Sequence, residues 1–501
     1  MRSFRFTILK NVLANIMRGG ASAVVAVVLP HFLTHLLGHD RFAGWALMLQ
    51  LAAYANYLDF GLQTAVARYL AGALERGNQE QCDRLVSNAV AILAIAGAIA
   101  VFILGLIAWQ LPHLFRSVPG ILTGEIGLGL TILGVVAAIN LPLSVYTGVL
   151  IGMQRNEYPA IAMAISRVFG AVAVILVAHR TQSLVWLAIC IGGFNLIASL
   201  SQYLIVRRLL PALRFGLALL ERGMTMELVR YCSTLSVWSV GMLLVGGLDV
   251  TIVGLFKFQA VGAYSIATTL ILFFTGLNSA AFSALMAPVA VLQARQEYSR
   301  IGRLMIVATR LNSYFSMTVV VMVFLFGKAL ILAWVGPSYL PVTLPVLEIL
   351  LVAQAIRLVG NAFGTVLVGM GLQRYGLAQA IIEGVSNLLL SVLGMALVGP
   401  TGVAWATLIA ACIALTFTVF FVLQRVQEVS ISSIIFVRQG IIIPLLPFLP
   451  ICIWIACRGW VEDHAEIVAS SRGYLLMFLL AMTTLLASQG IRRTFKEARS
   501  V

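Results

Sequence analysis

The chain has 501 residues, 61 % hydrophobic and only 10 % charged, with a mean hydropathy of +1.01 and a net charge of +15. Soluble domains are roughly a quarter charged, so this chain lacks the polar surface that a water-soluble fold of its length needs, and its solvent is mostly lipid. The positive charge calls for no nucleic acid, because anionic headgroups balance Lys and Arg placed at a membrane rim.

A bilayer core takes about 20 apolar residues per helix. Fourteen such runs follow in order, at 12–37, 43–62, 85–109, 121–151, 158–178, 183–205, 231–256, 261–288, 304–333, 342–370, 375–397, 402–423, 434–457 and 473–490. The basic start "MRSFRFTILKNVLANIM" has no A-x-A-like cleavage site after it, and the apolar run continues, so it reads as the first span rather than a cleaved signal. Inner loops are expected at 63–84, a polar stretch holding Cys82, and at 206–230, where "RRLLPALRFGLALLERGM" reads as an amphipathic surface helix joining two halves. Pro444, Pro447 and Pro450 predict a kinked thirteenth span.

Short loops rich in Lys and Arg stay inside. With the N-terminus inside, 22 of the 33 Lys and Arg residues fall in inner segments, 6 in outer segments and 5 within spans. Both termini are then cytoplasmic, and the expected location is the cell inner membrane.

Six cysteines, five of them in or beside apolar runs, make no disulfide framework. The chain has no H-E-x-x-H, P-loop, G-x-S-x-G or spaced Cys/His cluster. No enzyme activity, metal or cofactor is expected.

Two stretches repeat, "IGMQRNEYPA" from Ile151 and "GMGLQRYGLA" from Gly369. Gly152 and Gly371 are 219 residues apart, as are Arg155 and Arg374. The same shift lays "AGWAL" at Ala43 on "GAYSI" at Gly262, and Asp59 on Asn278. It covers six spans, so the expected architecture is an all-α polytopic membrane protein. Two six-helix bundles, 1–210 and 231–425, would be joined by a linker at 211–230 and related by a pseudo-twofold axis along the membrane normal. Residues 426–501 would add two helices and a cytoplasmic tail. Repeats of this class place the substrate site between the halves near the midplane.

"LPHFLTHLLGHDRFAGWALMLQLAAYANYLDFGLQTAVARYLA" (Leu29 to Ala71) resembles the start of polysaccharide transporters of the Wzx flippase type, from the end of the first span through the second, and "LDVTIVGLFKFQAVGAYSIATTL" (Leu248 to Leu270) resembles their seventh span; the likeness covers roughly spans 1 to 12. This family is part of the multidrug/oligosaccharidyl-lipid/polysaccharide (MOP) superfamily. The resemblance implies translocation of an undecaprenyl-pyrophosphate-linked glycan repeat unit between leaflets, driven by a proton or sodium gradient rather than by ATP. The implied partners are the lipid-linked glycan, the phospholipid bilayer and polysaccharide polymerase machinery.

A charge at mid-span costs roughly 2.5–3.5 kcal/mol on insertion scales, so it marks a wet cavity or a partner. Arg167 and Arg357 fall near the middle of spans 5 and 10, one in each half. Their forked guanidinium groups suit pyrophosphate oxygens or an acidic sugar, and a structural ion pair is the other reading. Arg18, two turns into span 1, either snorkels to the inner headgroups or lines the cavity mouth. Arg310 and Lys328 read as snorkelling residues. Asp249, Asp59, Glu348 and Glu383 are the carboxylates available for ion coupling or gating, or for neutralising an arginine. Asp59 suits the cytoplasmic end, and Asp249 has the best claim to coupling. Glu348 and Arg357 are nine residues apart and point to opposite faces of one helix. Trp45 and Tyr264, placed alike by the repeat, are packing or gating residues.

Two other functions fit less well. A drug/cation antiporter of the same superfamily would want a net acidic cavity, whereas the spans hold five basic and four acidic residues. A membrane glycan polymerase or ligase would want a large outer loop. Here the longest, "RGWVEDHAEIVASSR" from Arg458, is short.

Overall fold

The computed structural model describes residues 2–282, 286–370, 372, 374–426, 431–455 and 471–499. Those residues form helices and short turns. The chain divides by contact density into unit 1, Met1–Phe273, and unit 2, Phe274–Val501. Among the described residues, eleven helices are long and apolar enough to cross a membrane, or twelve if one bent pair is a single span. Together with the lipid-like exposed faces below, this makes the chain a multi-pass membrane protein.

Unit 1 begins with α1, Arg2–Ala53, which breaks at Gly38, where φ is +72°. Glycine adopts this left-handed geometry without a Cβ clash, so two of the expected spans meet there with no loop. A 3-10 turn, Tyr54–Asp59, and left-handed Phe60 and Gly61 lead into α2, Leu62–Glu75. The expected inner loop at 63–84 is therefore largely helix. α2 buries Leu62, Ala65, Val66, Leu70 and Ala73 on one side, the 3.6-residue spacing of an amphipathic helix.

Next come α3, Gln79–Leu114, α4, Gly120–Gly152, α5, Glu157–Thr181, and α6, Leu184–Leu209. α4 is central, packed on α1, α2, α3 and α6. Cys82 is not in a polar loop but buried in the first turn of α3. Ile95, Phe102 and Trp109 of α3 are exposed, Trp109 by 73 %; such side chains are at rest in lipid, not water. At one end of unit 1 Arg41 forks onto Glu125 at 3.1 and 3.2 Å, and Glu125 also accepts the Leu184 N–H at 3.0 Å, so α1, α4 and α6 share one carboxylate.

The linker differs from expectation. Pro211 and Gly216 disfavour helix there, and the segment is turns with a 3-10 piece, Leu217–Leu219. Polar residues at the start of α3 hold it. Asp83 accepts the Arg214 N–H at 3.0 Å, and Asn88 accepts the Glu221 N–H at 3.1 Å and donates to the Leu219 carbonyl at 3.3 Å. Arg84 adds ion pairs to Glu80 and Glu221. α7, Arg222–Met242, a π turn, Leu243–Gly247, α8, Asp249–Phe256, and α9, Val261–Phe282, follow.

Unit 2 holds the end of α9 and α10, Met286–Ala294, α11, Tyr298–Trp334, α12, Leu340–Gly369, and α13, Arg374–Val398. α14, Pro400–Arg425, and α15, Ser433–Ile455, come next, and α16 is Ser471–Arg499. The kink expected from the prolines of α15 takes the form of a π turn, Val437–Ile442, and a 3-10 turn, Leu446–Phe448. In the first repeat stretch, Gln154 is left-handed and the Arg155 N–H closes on the Leu150 carbonyl at 2.8 Å. Arg155 lies 3.7 Å from Glu157. Gly371 and Gln373 of the second stretch lie outside the described residues.

Three helix pairs among those described touch backbone to backbone, one of them where Gly148 and Gly152 of α4 lie on the main chain of α2. A Cβ on Gly97 of α3 would sit 2.7 Å from the Ala138 oxygen of α4, and Gly394 of α13 meets Gly402 of α14 as closely. Overpacking of this kind costs about 1–3 kcal/mol. Gly97→Val should lower the thermal unfolding midpoint of the detergent-purified protein by several degrees, whereas Gly105→Ala, which meets nothing within 4 Å, should not lower it.

Candidate functional site

Each unit has a polar centre embedded in apolar helices. In unit 1 the seventh expected span, read as continuous over 231–256, is broken. The sequence "VGGLDV" puts two glycines in its middle. The helix widens into the π turn Leu243–Gly247, and α8 then starts at Asp249, bent by 45°. π turns inside helices are frequent at functional sites. The break frees backbone groups that lipid cannot satisfy, and α1 supplies the partners. Gln50 Nε2 donates to the Gly247 carbonyl at 2.7 Å, and the Tyr54 hydroxyl donates to it at 2.9 Å and meets the Thr251 hydroxyl. Asp249 is 3 % exposed. It stands in the first turn of α8, where free backbone N–H groups favour a negative charge.

Asp59 closes the 3-10 turn after α1. Its Oδ1 is buried with no hydrogen-bond partner among the described residues, and Gln63, one turn on, reaches the carboxyl group. Trp45 and Tyr264 are both buried. Arg167 is on α5 among exposed Ile165, Val168 and Phe169, and is itself exposed. The Arg18 side chain lies outside the described residues.

In unit 2 the guanidinium of Arg357 on α12 meets Glu383 on α13, Nε to Oε1, at 2.5 Å, with the two side chains 18 % and 7 % exposed. Two candidate residues, one assigned to cargo and one to coupling, are thus a single ion pair. Glu348 is half-buried on α12. Beside the pair runs an amide chain that the sequence reading missed. Asn278 of α9 donates to Asn312 of α11, Asn312 donates to the Leu358 carbonyl of α12, and Asn361 donates to Asn278 at 3.4 Å. Asn278 and Asn312 are 0 % and 1 % exposed. The available signal was asparagine in apolar runs, sharpened by the 219-residue shift that lays Asn278 on Asp59.

Arg310 does not snorkel. It is 9 % exposed and bonded to Glu497 at 2.7 Å and to the Gln439 carbonyl at 3.2 Å. Lys328 is exposed.

The whole chain can be laid on solved transporters. A lipid II flippase, MurJ, in an inward closed conformation superposes with a TM-score of 0.69 at 13 % identity, covering 97 % of this chain and 100 % of that one. An inward-facing multidrug resistance transporter of the MATE family, in the MOP superfamily, gives 0.68 at 15 % identity, with 81 % and 95 % covered. A MOP superfamily transporter from Pyrococcus furiosus gives 0.61 at 14 % identity, with 85 % and 96 % covered. The fold is therefore that of the MOP superfamily transporters. The family described as "Polysaccharide biosynthesis protein" matches residues 8–291, more than half of the chain, and the chain belongs to it. No curated protein matches the chain.

Removing one member of a buried ion pair strands the other, at a cost of about 3–5 kcal/mol. Glu383→Ala should therefore lower the unfolding midpoint markedly, and Arg357→Met with Glu383→Leu should recover most of the loss. A double variant no more stable than the single one would show that the two residues are not coupled.

Proposed function

We propose that the chain is a flippase. It moves an undecaprenyl-pyrophosphate-linked oligosaccharide repeat unit, of an O-antigen, capsule or exopolysaccharide, across a bacterial inner membrane by ion-coupled alternating access. The observation that carries this reading is the polysaccharide biosynthesis family match over residues 8–291. Coverage supports it further. The multidrug and archaeal transporters account for 81 % and 85 % of the chain, whereas the lipid II flippase accounts for 97 %, which takes in most of the C-terminal region as well.

In this reading the chain crosses fourteen times with both termini cytoplasmic, as two six-helix halves and two added helices. The break at Gly38 supports counting α1 as two crossings, and the bent pair α7–α8 supports one more. Arg167 and Arg357, with Arg18 at the inner mouth, take the anionic cargo. The Arg357–Glu383 pair supplies a mechanism. A pyrophosphate that claims the guanidinium parts Arg357 from Glu383 and so loosens the tie between α12 and α13. Asp249, at the break of α7–α8, is the coupling carboxylate of unit 1; Asp59 gates the cytoplasmic end, and Glu348 is the remaining carboxylate of α12.

Deleting the gene should raise the lipid-linked repeat unit several-fold in membrane extracts and deplete the external glycan, with a plasmid copy restoring both. Unchanged intermediates and glycan would overturn the reading. Asp249→Asn and Arg167→Ala copies should fail to restore at normal protein levels, and full restoration by either removes that residue from the mechanism. Alkaline phosphatase fused after Arg116 should be active and after Arg155 inactive, and the reverse would invert the topology.

A further inference from the structure

Unit 2 contains a half-open cavity of about 910 Å³ formed by α11, α15 and α16. It is separate from the Arg357–Glu383 pair and the amide chain, none of which lines it. Four arginines face it, Arg303, Arg310, Arg438 and Arg493, against one carboxylate, Glu497. Arg310 forms the floor and is spoken for by Glu497 and Gln439. Arg303, Arg438 and Arg493 are exposed and make no ion pair among the described residues. The remaining wall is mixed: Gln439, Gln489 and Thr494 are polar, and Ile306, Leu446 and Leu486 give it an apolar portion.

The cavity is built rather than incidental. The π turn of α15 presses Gly440 onto α11, where a Cβ would sit 2.9 Å from Thr309, and the Gly440 carbonyl accepts the Ser313 hydroxyl at 2.7 Å. This seating sets Arg438 and Gln439 over Arg310. On α16, Gly490 leaves room for the Tyr314 hydroxyl, and Arg493 stands one turn further on.

Three guanidinium groups with no ion pair among the described residues, beside the apolar portion of the wall, describe a ligand with a phosphate at one end and hydrocarbon at the other. Guanidinium forks bind phosphate oxygens in pairs, and basic pockets between membrane helices suit anionic lipid headgroups. We propose that this cavity holds the phosphate headgroup of an anionic glycerophospholipid, with the first acyl carbons along Ile306, Leu446 and Leu486. The site fastens α15 and α16 to α11 through a bound lipid and does not depend on the transport reading.

The test is thermal unfolding of the full chain in mixed micelles. A ligand that binds only the folded state raises the midpoint as its concentration rises. Phosphatidylglycerol should raise it by several degrees, and phosphatidylcholine of the same chains should not. Arg438→Gln with Arg493→Gln should weaken the response at least tenfold, while Arg295→Gln with Arg300→Gln, an equal loss of charge outside the cavity, should keep it. If the first double variant does not elute as a monodisperse peak, Arg438→Gln and Arg493→Gln singly should each weaken it about threefold. Equal responses to the two lipids, or equal losses in the two double variants, would overturn the proposal. Protection by inorganic pyrophosphate matching that by phosphatidylglycerol would overturn the lipid assignment in favour of a water-soluble anion.

Discussion

A charge or an amide inside this protein has no water to fall back on, and that constraint orders the rest of the structure. Lipid offers no hydrogen bonds, so the charged groups and amides at the polar centres are answered from neighbouring helices. Arg41 and Glu125 tie three helices at one end of unit 1. Arg357 and Glu383 join α12 to α13, Arg310 and Glu497 join α11 to α16, and the amide chain joins α9, α11 and α12. Burial of apolar surface does not choose among helix pairings when lipid tails are equally apolar, whereas hydrogen bonds and close packing at small residues do. These few contacts therefore specify which helices are neighbours.

The same constraint explains the broken helix of unit 1. A glycine pair and a π turn leave the Gly247 carbonyl without its helical partner, and Gln50 and Tyr54 reach across from α1 to supply one. The helix start that follows places buried Asp249 in its first turn, where the backbone field favours a negative charge.

The sequence made the apolar runs legible, because a 20-residue hydrophobic stretch has few alternatives. It also flagged the α15 prolines and the charged residues Asp249, Arg357 and Glu383. What it hid were pairings. Arg357 and Glu383 stood out as two separate charges, because the spacing of residues on different helices is not written in either helix. Asn278, Asn312 and Asn361 were passed over since amides carry no charge to mark them. The linker was misread because its Arg/Leu mixture looks amphipathic, while Pro211, Gly216 and the Asp83–Asn88 face of α3 decide its shape. Cys82 was misplaced by its polar neighbours, although they begin a helix.

The glycine contacts have a mechanical meaning. Where Gly97 lies on Ala138 and Gly394 on Gly402, main chain touches main chain with no side chain between them. Side chains can change rotamer and let two helices shear; bare backbones in contact cannot. Each pair, α3 with α4 and α13 with α14, is in effect one thick plank. Whatever motion the protein undergoes must be taken up elsewhere, at points such as Gly38 and the turn before Asp249, where the helices have already given up their regularity.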